Sequence, residues 1–301
     1  MKKVVIILGP TAVGKTDIGI SIAKKFNGEI ISADSVQIYK GLDIGSAKIT
    51  KEEMDGVPHH CIDILPPQCE FSVYEFVTLT KQKIDEILAK GKLPFIVGGT
   101  GLYVRALLGG YDFGGTGKQA DFRNKLEKEA DKDLSILYEE LKKKDPERAE
   151  KIKPTDRKRI IRGLEIAEFG NSPQSENVEL DPLVINLSMD REKLYERINL
   201  RAEIMVKNGL VEEVRGLLRQ GVTKESQSMK AIGYKEVIDF LNGEYDEKRM
   251  LELIQQHSRN YAKRQMTFFR SVKEARVVDA SNKNVAVQEI SKDIKGWLKW
   301  R

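Results

Sequence analysis

Apolar and polar positions divide the chain into short apolar runs and longer stretches of helical period. Lys3-Val4-Val5-Ile6-Ile7-Leu8 is a continuous apolar run rich in β-branched residues, the pattern of a strand buried on both faces. Comparable runs stand at 29–33, 93–97, 183–187 and 276–278. Helical spacing follows the first run, with apolar residues at 18, 22, 23 and 26. It predicts further helices at 71–90, 210–220, 234–241, 247–270 and 285–297, and one after Asp190 carrying Leu194, Ile198 and Met205. Ser72 is placed to cap the helix at 71–90, and Gly91 to stop it.

Residues 119–169 have another texture: charged, with apolar positions only at helical spacing (Phe122/Leu126, Leu134/Leu137/Leu141, Ile160/Ile161/Leu164/Ile166). Glycines and Asp112 precede this stretch between Gly109 and Gly117, and the polar loop Asn171–Asn177 closes it. Strands alternating with helices predict an α/β core with a central parallel sheet. The helical stretch reads as an all-helical insertion, giving a core of 1–114 and 182–301 around an insertion of 115–181.

Composition narrows the class. With 40% hydrophobic and 32% charged residues over 301 positions, the chain is expected to be a soluble globular protein. No apolar run reaches membrane-spanning length, so a membrane location is not expected. The first strand begins at once, leaving no room for a cleavable signal. Cys61 and Cys69 form neither a disulfide framework nor a zinc site, which suits a reduced, cytoplasmic protein. The adjacent His59 and His60 have no third ligand in view and are assigned a structural role. Net charge is only +5, but cations concentrate in 141–162 and 259–276, a distribution compatible with nucleic acid or with solvated helix faces.

The first strand delivers Gly9-Pro10-Thr11-Ala12-Val13-Gly14-Lys15-Thr16, which satisfies G-x-x-x-x-G-K-[ST] at every fixed position. The following helix presents its positive N-terminal end to the loop, Lys15 adds a full charge, and the Thr16 hydroxyl suits Mg²⁺. This is a socket for a di- or triphosphate, and it does not specify ATP. The second strand ends at Asp34-Ser35-Val36-Gln37-Ile38-Tyr39. Ligands of parallel sheets bind at the C-terminal edge, so Asp34 should face the phosphate loop, although capping a turn or helix is the commonest fate of an Asp after a strand.

The strand at 93–97 runs into Gly98-Gly99-Thr100, where a nucleotide hydrolase would carry an acidic residue for its metal. Within the loop-rich stretch 40–70, Asp43–Lys48 reads as an ordered active-site loop. Arg197 and Arg201 lie one turn apart on a helix, able either to clamp a polyphosphate or to face solvent. Tyr261, Phe268 and Phe269 interleave with cations, for stacking on RNA or for the core, which should hold at least one of them.

Taken together and in this order, these motifs, with Ala231-Ile232-Gly233-Tyr234 and Ala262-Lys263-Arg264-Gln265, closely resemble the bacterial tRNA dimethylallyltransferases over essentially the whole chain. The resemblance implies a P-loop NTPase-like core and prenyl transfer from dimethylallyl diphosphate to the exocyclic amine of the adenine 3′ of the anticodon, with release of pyrophosphate. It implies Mg²⁺ as cofactor, held by Thr16, the anticodon stem-loop of tRNA as partner, a monomer, and a cytoplasmic location. Asp34 matches the general base, with Thr11 and Lys15 as the other catalytic residues. Diphosphate contacts fall to Gly9, Pro10, Thr11, Ala12, Val13, Gly14, Lys15, Thr16 and Arg201, with Arg197 one turn away as the second arginine.

For tRNA the resemblance implies Asp34, Ser35, Val36, Gln37, Thr100, Arg123 and the run Lys158, Arg159, Ile160, Ile161, Arg162, which with the insertion would clasp the stem. Lys230, Gly233, Tyr234 and Arg264 are weaker candidates. Three departures stand out: a short loop at 170–181, serine at Ser46 where threonine is common, and no zinc-finger extension of the eukaryotic kind. The competing readings are a small-molecule kinase, an isopentenyltransferase acting on free adenylate, and a non-catalytic RNA-binding module.

Overall fold

The computed structural model describes residues 1–109, 119–170 and 180–299. Its strands are β1 (Lys2–Leu8), β2 (Gly28–Ala33), β3 (His59–His60), β4 (Leu93–Gly98), β5 (Leu180–Ser188) and β6 (Arg276–Asp279). They form one parallel sheet in the order β3-β2-β4-β1-β5-β6. The apolar run of the first strand occupies the middle of the sheet, where Val4 to Leu8 are fully buried. Register sets the site. Gly98 is level with both Leu8 and Ala33, so the loops after β1, β2 and β4 leave the sheet at one height. Only glycine fits at 98, because a Cβ there would stand 2.3 Å from the Ala33 carbonyl oxygen.

Two compact units emerge, residues 1–107 with 179–301, and residues 108–178. In the first, α1 (Lys15–Lys25), α2 (Val73–Ala89), α3 (Gly101–Leu107), α8 (Arg191–Lys207), α9 (Leu210–Arg219), α10 (Tyr234–Leu241), α11 (Glu247–Arg270) and α12 (Lys283–Lys299) accompany the sheet. Ser72 and Glu75 form a full capping box at the start of α2, and Gly91 lies just past its end at φ 69°. The main core joins sheet residues such as Val5, Ile7 and Ile185 to Ile22 of α1, Leu194 and Ile198 of α8, and Ile290 and Ile294 of α12.

The second unit holds α4 (Ala120–Lys132), α5 (Leu134–Lys144), α6 (Pro146–Glu150) and α7 (Arg157–Phe169). Asp133, Asp145 and Asp156 each cap the next helix, accepting from Ser135, Arg148 and Arg159 backbone N–H groups. Its own core gathers Leu126, Leu137, Leu141, Ile160, Ile161 and Leu164.

Some expectations need correction. The boundary drawn between 181 and 182 cuts β5, which already pairs with β1 at Leu180. The boundary at 114, and the loop at 171–177, lie outside the described residues. His59 and His60 are a short edge strand rather than loop, paired with Ile30 and Ile31. Their structural role holds: His59 Nδ1 meets the Val57 carbonyl and His60 Nε2 meets Glu29 at 2.7 Å. Glu29 is buried among Lys90, Lys92 and His60. Burial alone would raise its pKa, but hydrogen bonds from Lys92, His60 and Lys90 outweigh that and hold it at about 2. Both cysteines are free thiols, Cys61 buried and Cys69 exposed. Among the described residues no helix is long and apolar enough to cross a membrane.

Candidate active site

Two adjoining cavities open at the C-terminal edge of the sheet. The first, of about 300 Å³, is lined by Thr11, Ala12, Gly14, Lys15 and Thr16 of the phosphate loop, with Asp34, Arg197, Arg201, Tyr261 and Gln265 around it. The loop is held from below by the fully buried Val13 side chain. Ala12 (φ 64°) and Gly14 (φ 99°) take left-handed backbone, the strained curl that turns the loop into the helix. Lys15 Nζ donates to the Pro10 carbonyl at 2.8 Å. Burial lowers the Lys15 pKa to about 7. Asp34 opposes the shift, and Arg201 adds to it. Arg201 is also pulled below its ordinary range by burial, with Asp34 opposing and Arg197 adding. The cations crowd one another, and an anion in the cavity would relieve all of them.

The second cavity, of about 320 Å³, shares Thr11, Asp34, Ser46, Arg201 and Tyr261 with the first, but its remaining wall is largely apolar. Val36, Ile198, Ala202, Met205, Ala231, Ile232 and Ile254 supply that wall. Asp34 therefore stands where the two cavities meet. Both sequence readings of it hold: its Oδ1 accepts from the Val36 and Gln37 N–H groups at 2.8 and 3.2 Å, capping the turn. Among the described residues Oδ2 has no protein donor.

The loop 43–47 is ordered by a device that sequence reasoning missed. Glu213 of α9 accepts from the N–H groups of Asp43, Ile44 and Gly45 at 3.0, 2.7 and 3.1 Å. Tyr234 donates its hydroxyl to the same carboxylate at 2.7 Å. A Cβ at Gly45 would lie 2.6 Å from the Tyr234 ring, so glycine permits this contact. From the other side the Gln37 amide donates to the Ser46 and Ala47 carbonyls, both at 3.3 Å.

Several residues expected to meet RNA are placed otherwise. Tyr234 is fully buried beneath the 43–45 loop, so its ring supports the site and does not face a ligand. Ile160 and Ile161 belong to the core of the helical unit, while Lys158 and Arg159 beside them are exposed. Arg123 and Arg162 both bind the buried Glu165, Arg123 with two hydrogen bonds at 2.8 and 2.6 Å. Their first task is therefore to neutralise that carboxylate, which burial would otherwise push toward protonation. Ser35, Lys230 and Arg264 do line the apolar cavity, and the Arg264 guanidinium lies over the Tyr261 ring. Gly233 is buried at φ 97°, starting α10. The Thr100 N–H donates to the Ala33 carbonyl at 3.3 Å. Of the interleaved aromatics, Phe269 is in the core.

The model for the IPP transferase family matches residues 37–272, and that for isopentenyl transferases matches residues 2–63. The chain belongs to the IPP transferase family. Relatives include a tRNA dimethylallyltransferase of Caldanaerobacter subterraneus, 49% identical over 89% of each chain. Another, from an Exiguobacterium species, is 46% identical over 99% of this chain and 98% of its own. Among solved structures, the tRNA isopentenylpyrophosphate transferase of Bacillus halodurans superposes with TM-score 0.77 at 42% identity, covering 99% of this chain and 97% of that one. A eukaryotic dimethylallyltransferase acting on tRNA gives TM-score 0.82 at 27% identity, covering 98% of this chain and 79% of that one.

Proposed function

We propose that this chain is a tRNA dimethylallyltransferase, moving a dimethylallyl group from its diphosphate to an adenine of tRNA. The observation that carries the reading is the meeting of a cationic phosphate cavity and an apolar cavity at one carboxylate, Asp34. The diphosphate occupies the loop Gly9–Thr16, with Lys15, Arg201 and Arg197 balancing the charge that grows on it as the bond to carbon breaks. The prenyl chain and the acceptor base use the apolar side. The exocyclic amine of the adenine 3′ of the anticodon attacks the first carbon of the donor, and that carbon's bond to oxygen breaks. Pyrophosphate leaves with the bonding electrons. Asp34 takes the proton shed by the amine, its Oδ1 held by two backbone donors and its Oδ2 available. The base reaches this depth only if it leaves its loop stack.

The oxygen donors at the cavity mouth suit Mg²⁺. Thr16 and Asp17 are exposed there, and Asp34 and Glu53 line the same space. Among the described residues no group of three or more His, Cys, Asp or Glu side chains could hold a metal unaided. The substrate's own phosphate oxygens would complete the shell, with Thr16 as the protein ligand, and the ion would add positive charge beside the leaving group. For RNA, Lys158 and Arg159 on the helical unit and Lys230 and Arg264 on the core offer phosphate contacts, so affinity should fall with salt. A cytoplasmic location accompanies this substrate.

The test is transfer of labelled dimethylallyl groups to unmodified tRNA with Mg²⁺ and no ATP, beside a tRNA lacking that adenine. Label in the first RNA alone supports the reading. Label in neither, with phosphate moved from ATP in a parallel reaction that contains it, would replace it with the kinase reading.

A further inference from the structure

Gln265 of α11 is buried, and its side-chain amide joins two loops that are far apart in sequence. Its Oε1 accepts the backbone N–H of Thr11, in the phosphate loop, at 2.9 Å. Its Nε2 donates to the carbonyl of Gly99, just past β4, at 2.8 Å. One turn earlier on α11, Tyr261 lines both cavities. One amide thus ties the loop after β1, the loop after β4 and the helix that walls the acceptor side.

The chemistry demands an amide. One end must accept from an N–H while the other donates to a carbonyl, which neither a carboxylate nor a thioether of the same length can do. Space is tight as well. A Cβ on Gly99 would lie 2.4 Å from Gln265 Nε2 and 3.5 Å from Lys15 Nζ, so any side chain at 99 would press on that amide. Because its N–H is committed to Gln265, Thr11 is fixed in direction, and its side chain sits where the cavities join, beside Asp34.

We infer that Gln265 is a positioning residue for the transfer step: it fixes the leaving-group socket at a set distance from the acceptor wall. It touches neither reacting atom and acts through Thr11 and through the seating of α11, which carries Tyr261. The inference rests on the transfer reading above. Misplacement by about an ångström costs rate far more than affinity, because each substrate can still bind its own half.

The experiment compares wild type with Gln265→Met, which keeps length and volume but makes neither hydrogen bond, and with Gln265→Glu, which keeps only the acceptor. Single-turnover transfer at saturating substrates is measured beside calorimetric binding of pyrophosphate and of tRNA, with melting temperature as a check on folding. The expected result is a rate reduced about 10- to 100-fold in both variants, with each Kd within about threefold of wild type. Gly99→Ala pushes on the same amide from the opposite side and should give the same split, which keeps the test open if Gln265→Met folds poorly. A folded Gln265→Met or Gly99→Ala with wild-type single-turnover rate would overturn the inference. Wild type that transfers to no RNA while binding pyrophosphate would instead remove the transfer reading beneath it.

Discussion

The two cavities differ in how the chain builds them. The phosphate half is anchored on one contiguous stretch, Thr11 to Asp17, and its wall is completed by arginines from α8, the loops after β2 and β4, and α11. The apolar half draws on β2's exit, the 43–47 loop, α8, the segment before α10, and α11. Binding a diphosphate needs charge and backbone N–H groups in one place, which a single turn from strand to helix supplies. Presenting a flat base and a short prenyl chain to one carboxylate needs walls from several directions, which only tertiary assembly supplies. Substitutions of the charged groups that hold the anion, Lys15 and the α8 arginines, should therefore abolish chemistry and anion binding together, and those on the apolar side should separate them.

The largest effect is expected from Lys15→Met, which removes the full charge at the leaving group. Transfer should fall by about 10²- to 10³-fold or more, with loss of pyrophosphate binding seen by calorimetry. Retained pyrophosphate affinity would break the assignment of the anion site. On the apolar side, Ala231→Phe narrows the second cavity and should raise the KM of a substrate about tenfold, while the Kd for pyrophosphate stays within about twofold. Equal damage to both would mean that the cavities are not functionally distinct.

A smaller, graded effect follows from Lys15 itself. Its pKa in the free protein is about 7. Bound anion restores the charged form, so binding above that pH takes up a proton. The Kd of pyrophosphate should then rise about tenfold per unit as pH increases through the range above 7. Calorimetry in two buffers of different ionisation heat would show the proton uptake, and its absence would remove Lys15 as the linked group. The same depressed pKa means that unfolding takes up a proton in this range, so the ligand-free protein gains stability from this group as pH rises.

Contiguity also explains what could be read in advance. The phosphate loop, the strand ends and Asp34 were legible because each is defined by neighbours in sequence. The level exit of β1, β2 and β4 then brought them together. Glu213 and Gln265 were not, because each satisfies backbone groups far along the chain, and nothing in the helical spacing around them marks that. Gln265 had a signal in the Ala262–Gln265 motif, yet its role appears only with the Thr11 N–H in place. The run Lys158–Arg162 shows the opposite failing. A motif transferred as a block ignores the helix period, which turns Ile160 and Ile161 inward and leaves Lys158 and Arg159 outside. Tyr234 was misplaced for a related reason: it was carried over with its motif, and in the structure its hydroxyl is taken up by Glu213.

The central claim is that Asp34, at the junction of the cavities, receives the proton from the attacking amine. Asp34→Asn keeps an oxygen able to accept from the Val36 and Gln37 N–H groups, so the turn should survive. Single-turnover transfer by this variant should fall by about 10²- to 10⁴-fold, with tRNA and pyrophosphate affinities within about twofold of wild type. Transfer at the wild-type rate, with both substrates bound normally, would show that the proton goes elsewhere and that the junction carboxylate is only a turn cap.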